Sequence, residues 1–239
     1  MAYHFDSYEE LARHPDCKYA FHVNHTLSSL TRRVESLNLV GDMLWPERIP
    51  KDFKDFPVSR YEWLTIAADV FLMRFISVVD CALILANDVH ETGLDPQKCS
   101  IDQLGKAGVP SKILSVLEDM RKDQGDLRRE RNARFHHGVE RAFTNDSTTF
   151  QTAARFEQWG NGLVGHDQHG RRINVERSFQ EGLVELQREF NAATRKLVRH
   201  VEAFYDLLGN EFESRFTPRI RAATHGLNAG SRAREPSKK

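Results

Sequence analysis

The sequence predicts an all-α protein built as an up-and-down helical bundle, and three segments carry that prediction. In residues 20–37, apolar side chains recur at steps of three and four, which is the stripe of an amphipathic helix with one buried face. Residues 61–91 are apolar on nearly all sides, as in a central helix packed by several neighbours. In residues 179–208 the stripe of threes and fours continues almost without interruption. Amphipathic helices around one nearly all-apolar helix are typical of a bundle.

Residues that start and stop helices delimit these segments. Ser59 and Glu62 have the spacing of a capping box, in which each side chain accepts a hydrogen bond from the other residue's backbone. Pro110 suits the first turn of a shorter helix. Asn174 is placed to cap the long last helix, and Gly209–Asn210 predicts the end of that helix.

The least regular part of the chain is residues 145–175, for which we expect a short hairpin or loop excursion. Residues 160–170 are rich in turn-forming residues. The spacing of Ala154, Phe156 and Trp159 fits a short helix or a strand equally well.

Composition excludes several classes of protein. The formal net charge is +0, so an anionic partner must be recognised by a local patch rather than by a global field. The three cysteines show no CxxC or CxxH spacing, so neither a disulfide framework nor a zinc site is indicated. The most apolar stretch, residues 70–89, is interrupted by Arg74 and Asp80, so we expect no membrane span. A cytoplasmic location is the corresponding expectation.

The chemically richest segment is residues 126–141, which read DLRRERNARFHHGVER. In a helix, Asn132 and His136 are four residues apart and share a face. Arg131 lies beside them, about a quarter-turn from Asn132.

The run Arg131-Asn132-x-x-x-His136 resembles the signature of the HEPN superfamily, named for a higher-eukaryote and prokaryote nucleotide-binding domain. Members are helical bundles, and many are RNases of toxin–antitoxin or antiviral systems. The resemblance therefore implies a metal-independent endoribonuclease acting as a toxin or defence effector. The bare spacing also occurs at Arg195/His200 and Arg219/His225, which we interpret as coincidental.

The resemblance extends over a large part of the chain. It implies a single HEPN-like domain over residues 1–220, with residues 17–40 as an added N-terminal helix and residues 59–210 as the core. Residues 221–239 are predicted to be a disordered tail. The resemblance also implies a homodimer in which two motifs face one cleft, with a protein antitoxin or regulator as a further partner.

The chemistry of RNA cleavage suits these residue types. Histidine titrates near neutrality, so His136 is the candidate acid or base. Arg131 is the candidate group that stabilises the phosphorane, and Asn132 is placed to orient the imidazole or hold a phosphate oxygen. No metal or other cofactor is expected. The neighbouring side chains expected to contact RNA are Arg128, Arg129, Arg134 and His137.

Two other interpretations remain open. The chain is alternatively a catalytically inactive bundle that binds a protein or nucleotide, in which the motif serves structure. A metal enzyme built from scattered histidines ranks behind both, because each pair supplies only two ligands: His22 with His25, and His166 with His169.

A polar stripe on the central helix also has two interpretations. Asp69, Asp80 and Asn87 fall within a narrow arc. Either they face solvent, or a carboxylate of this stripe pairs with Arg131 or Arg134, because a buried charge requires compensation.

Overall fold

The computed structural model describes residues 7–54, 56–161, 165–166 and 169–222, and this part of the chain is helical, as predicted. It has no strand, and its only β-type pairing is an isolated antiparallel bridge between His166 and Arg172. The eight helices of the described residues are α1 Tyr8–Ala12, α2 Pro15–Leu44, α3 Arg60–His90, α4 Ile101–Lys106, α5 Ser111–Asp123, α6 Gly125–His137, α7 Ser147–Gln158 and α8 Val175–Ala222.

The chain divides into two compact units. Unit 1 comprises Met1–Arg32, Val79–Arg121 and Arg199–Lys239, and unit 2 comprises Arg33–Val78 and Lys122–Val198. Helices α2, α3, α5 and α8 each contribute residues to both units.

Unit 1 is organised around aromatic contacts of α8. Tyr19 of α2 is buried, and its hydroxyl donates a hydrogen bond to the carbonyl oxygen of Val89 at 2.9 Å. The Tyr19 ring stacks on Phe212 of α8 at a centroid distance of 5.5 Å, and Phe212 stacks on Phe216 at 5.2 Å. Aromatic pairs of this kind contribute about 0.5–1.5 kcal/mol beyond their area.

Unit 2 has a phenylalanine-rich core that also contains a charged side chain. Phe53, Phe71 and Phe179 are almost completely buried. The guanidinium of Arg60 lies 4.3 Å from the centroid of the Phe53 ring and forms an ion pair with Glu157 at 3.0 Å. The buried cation is therefore compensated by a carboxylate and an aromatic face.

Two of the predicted helix starts are confirmed in detail, whereas Pro110 lies just before α5 and not in its first turn. The Glu62 carboxylate accepts a hydrogen bond from the Ser59 backbone N–H at 2.8 Å, and the Ser59 hydroxyl accepts one from the Glu62 N–H at 3.2 Å. Asn174 Oδ1 accepts a hydrogen bond from the Arg177 N–H at 2.9 Å at the start of α8.

The predicted end of the last helix is wrong. Helix α8 continues through Gly209 and Pro218 to Ala222. A glycine inside a helix costs only about 1 kcal/mol relative to alanine, and the contacts of Phe212 and Phe216 offset a cost of that size.

The irregular segment contains more helix than expected. Residues 147–158 form α7, so Ala154 and Phe156 are helical and Trp159 is the C-terminal cap. Between α7 and α8 the described residues include the isolated bridge between His166 and Arg172, and residues 162–164 and 167–168 of the expected excursion lie outside the described residues. The predicted tail lies outside the described residues, apart from Arg221 and Ala222, which belong to α8. Within the described part, no helix is long and apolar enough to cross a membrane.

Candidate functional site

The candidate site lies on α6, which begins after a buried glutamine and ends at a glycine. Gln124 precedes the helix, is fully buried, and donates a hydrogen bond from its side-chain amide to the carbonyl oxygen of Phe75 at 2.7 Å. The helix ends at Gly138, whose φ of +64° is readily available only to glycine. The Gly138 N–H donates to the Arg134 carbonyl at 3.1 Å and the Val139 N–H to the Ala133 carbonyl at 3.2 Å. The bond from Gly138 to Arg134 is the 5→1 bond of an αL C-terminal motif, which ends the helix directly after His136 and His137.

One side of α6 is attached to α3 by a buried ion pair. Arg134 Nη2 and Nε lie 2.5 Å and 2.8 Å from Asp69 Oδ1. The Arg134 side chain is only 5% exposed, and Glu130 lies 3.9 Å from its Nη1. Asp69 of the polar stripe therefore pairs with Arg134, which is the second of the two interpretations given above.

A second arginine connects the chain after α6 to α8. Arg141 lies 3.3 Å from Glu130, 2.7 Å from Glu189 and 3.7 Å from Glu185. Burial raises the pKa of Glu130. Arg141 and Arg134 oppose this rise, and the carboxylates of Glu189 and Asp69 add to it.

The three motif residues differ from these neighbours. Asn132 and His136 are exposed and Arg131 is half-buried. None of the three side chains forms a hydrogen bond or ion pair with any other residue that the structure describes. The side chains that the resemblance assigns to catalysis are therefore available to a ligand.

The positions of the motif residues around the helix are also distinct. Asn132 and His136 share one face of α6, as expected from a separation of four residues. Arg131 precedes His136 by five residues, so the two Cα positions lie about 140° apart around the helix axis. Arg131 instead shares its face with Phe135.

The four predicted RNA-binding residues have unequal access to solvent. Arg129 is exposed and pairs with Asp126, and His137 is exposed. Arg128 is half-buried and donates to the side-chain oxygen of Gln124 at 3.2 Å. Arg134 is the least accessible of the four, because a phosphate would have to replace the Asp69 carboxylate to reach its guanidinium.

Sequence reasoning missed the carboxylates of the network around Arg141. Glu130 is recognisable as a partner of Arg134 because the two are four residues apart on a helix. The contacts of Arg141 with Glu185 and Glu189 have no local signal, because more than forty residues separate them along the chain.

Four exposed apolar side chains lie on α3 and on the chain at and just after the end of α6. Helical spacing places Ile66 and Met73 on the same face of α3 as Asp69, and the two side chains are 43% and 48% exposed. At the end of α6, Phe135 and Val139 are 45% and 54% exposed. We call Ile66, Met73, Phe135 and Val139 the α3–α6 apolar face.

The scattered histidines do not converge. His22 shares a hydrogen bond with the Tyr8 hydroxyl at 2.5 Å, and His25 stacks on Phe21. Among the residues described, no group of three or more His, Cys, Asp or Glu side chains is arranged to hold a metal ion.

Comparison with known proteins adds no relative to this description. No protein-family model, curated protein or solved structure matches the chain.

Proposed function

We propose that this chain is a metal-independent endoribonuclease of the HEPN type, in which His136 transfers protons and Arg131 stabilises the phosphorane. One observation carries the proposal. Within a helix whose other arginines have carboxylate or amide partners, Arg131, Asn132 and His136 have no polar partner among the described residues. The resemblance to the HEPN motif falls on these same three residues.

The proposed reaction needs only groups of these types. A base removes the proton of the ribose 2′-hydroxyl, and the 2′-oxygen attacks the adjacent phosphorus. The resulting phosphorane collapses as the bond to the 5′-oxygen breaks and an acid protonates that oxygen. The products are a 2′,3′-cyclic phosphate and a 5′-hydroxyl. His136 can serve as base or acid, and Arg131 can donate to the phosphate oxygens where negative charge develops.

The proposal includes a homodimer, because one motif supplies one exposed histidine for the two proton transfers, apart from the adjacent His137. A second protomer would supply a second His136. The α3–α6 apolar face is the proposed contact surface, since exposed apolar side chains next to a polar site favour association. A stable interface of this kind buries on the order of 1,600 Å². Toxin or antiviral activity in the cytoplasm, with RNA as substrate and a protein regulator, belongs to the same proposal.

A second candidate function is a binding module without catalytic activity. The observation that favours it is the α3–α6 apolar face itself, because four exposed apolar side chains also suit a different protein partner. On this alternative the Asp69–Arg134 pair holds α6 in place for that partner, and His136 has no chemical role.

RNA cleavage in the presence of EDTA separates the two functions. We expect the wild type to release 2′,3′-cyclic phosphate ends and His136→Ala to lose this activity. His200→Ala is the matched control, because Arg195 and His200 have the same spacing elsewhere on α8. Equal cleavage by wild type and His136→Ala would contradict the proposed role of His136. A stable complex with another protein, without cleavage of structured or single-stranded RNA, would favour the binding module.

A further inference from the structure

The last turns of α8 are held to the end of α3 through a buried histidine in unit 1. His90 is the final residue of α3 and is 8% exposed. Arg215 of α8 makes two contacts with His90. Its Nη2 lies 3.2 Å from His90 Nδ1, and its Nη1 donates a hydrogen bond to the His90 carbonyl oxygen at 3.4 Å. One guanidinium thus binds both the ring and the main chain of the same residue.

This contact specifies the protonation state of the ring. A guanidinium can only donate hydrogen bonds, so Nδ1 must act as the acceptor and carry no proton. The neutral ring then carries its proton on Nε2, which is buried and has no hydrogen-bond partner among the described residues. Adding a proton at Nδ1 would remove the bond to Arg215 and place two positive charges about 3 Å apart.

The surrounding charges do not compensate a protonated ring. On α8, Glu211 lies 4.0 Å from Arg215 Nε, and Arg219 pairs with Glu91. On α3, Asp88 is engaged as an acceptor for Thr26 and Asn87, and on α2 the Tyr19 phenol donates to Val89. Burial lowers the pKa of His90 below its usual 6.5, Arg215 lowers it further, and Glu211 opposes both.

We propose that His90 and Arg215 form an acid-sensitive latch, which holds residues 211–222 of α8 on the end of α3 at neutral pH and weakens at acid pH. The neutral ring is the form compatible with the latched state. The latched state is therefore fully favoured above 6.5, the ordinary value for a released histidine. It loses stability as the pH falls from 6.5 toward the lower pKa of the docked ring. This inference does not depend on the proposed RNase activity.

Amide hydrogen exchange of the full chain at pH 7.5, 6.5 and 5.5 tests the latch. After correction for intrinsic exchange, protection of residues 211–222 should fall below pH 6.5 by up to about tenfold per pH unit, the limit for one linked proton. Amides of residues 180–198 in the same helix should show a smaller change. An equal loss along the whole helix would overturn the proposal.

Two variants make the test specific. His90→Gln removes the titrating group, so protection of residues 211–222 should become independent of pH. His25→Gln replaces an exposed histidine of unit 1 and should retain the wild-type pH dependence. If His90→Gln does not fold, an NMR titration of the wild-type imidazole decides the matter. A pKa below 6.5 for His90 supports the latch, and a value at or above 6.5 overturns it.

Discussion

Arg131 and Arg134 lie three residues apart on α6 and have opposite surroundings. Arg134 is 5% exposed and pairs with Asp69, whereas Arg131 is half-buried and has no polar partner among the described residues. The sequence of the segment does not distinguish the two arginines, but their surroundings assign them different roles. A paired, buried arginine stabilises the position of a helix, and an unpaired arginine can bind a ligand.

The largest effect should come from the unpaired side of α6. His136→Ala is expected to lower the rate of RNA cleavage by roughly a hundred- to ten-thousand-fold, because a proton carrier is lost. Its free energy of unfolding should change by no more than about 0.5 kcal/mol, since the side chain is exposed. Cleavage rates in EDTA and urea unfolding of the same preparation measure both quantities. Loss of activity together with a large loss of unfolding free energy would indicate that His136 has a structural role, and would contradict its assignment to the unpaired side of α6.

The paired side should respond in the opposite way. Asp69→Ala leaves the Arg134 guanidinium without its closest carboxylate, and we expect a loss of about 2–3 kcal/mol in unfolding free energy. This is below the range for a fully buried pair because the Asp69 side chain is 34% exposed. Asp126→Ala is the matched control, since its partner Arg129 is on the surface and the pair should contribute less than about 1 kcal/mol. Similar losses in the two variants would remove the special role assigned to the α3–α6 ion pair.

The glycines at the two ends of α6 should respond differently to replacement by alanine. Gly138→Ala forces an alanine into left-handed backbone, at a cost of about 1 kcal/mol. A Cβ at this position would meet no atom within 4 Å, so the cost is confined to the backbone. Gly125→Ala, at the other end of α6, also meets open space and should be neutral or stabilising. Thermal melts of the two variants should therefore shift in opposite directions, or only the Gly138 variant should shift.

The smallest effect is a difference in pH dependence between two glutamates. The pKa of Glu130 is raised by burial, so its contribution to stability is present below the ordinary value of 4.5 and is lost as the pH rises through the folded-state pKa. The pKa of Glu62 is lowered, chiefly by the hydrogen bond from the Ser59 backbone, so its contribution is present above 4.5 and is lost as the pH falls. Glu130→Gln should accordingly become more stable relative to wild type from pH 4 to 7, and Glu62→Gln less stable. Denaturant unfolding at the two pH values measures both signs, and a common sign would contradict the assigned environments.

The sequence by itself determined the helical class and the starts of α3 and α8. Those features depend on short-range physics: apolar spacing of three and four, the capping box of Ser59 and Glu62, and the cap at Asn174. It also determined that Asn132 and His136 share a face of α6, because a separation of four residues is enough to place them.

Only the tertiary structure decided which charged residues of α6 are engaged. The partners Asp69, Glu185 and Glu189 come from distant parts of the chain, and no local pattern specifies such pairs. The same reason explains why α8 passes Gly209, where a local stop signal is outweighed by contacts of Phe212 with Tyr19 and of Arg215 with His90. Local propensities are worth about 1 kcal/mol or less, and packing between segments that are far apart in sequence can exceed them.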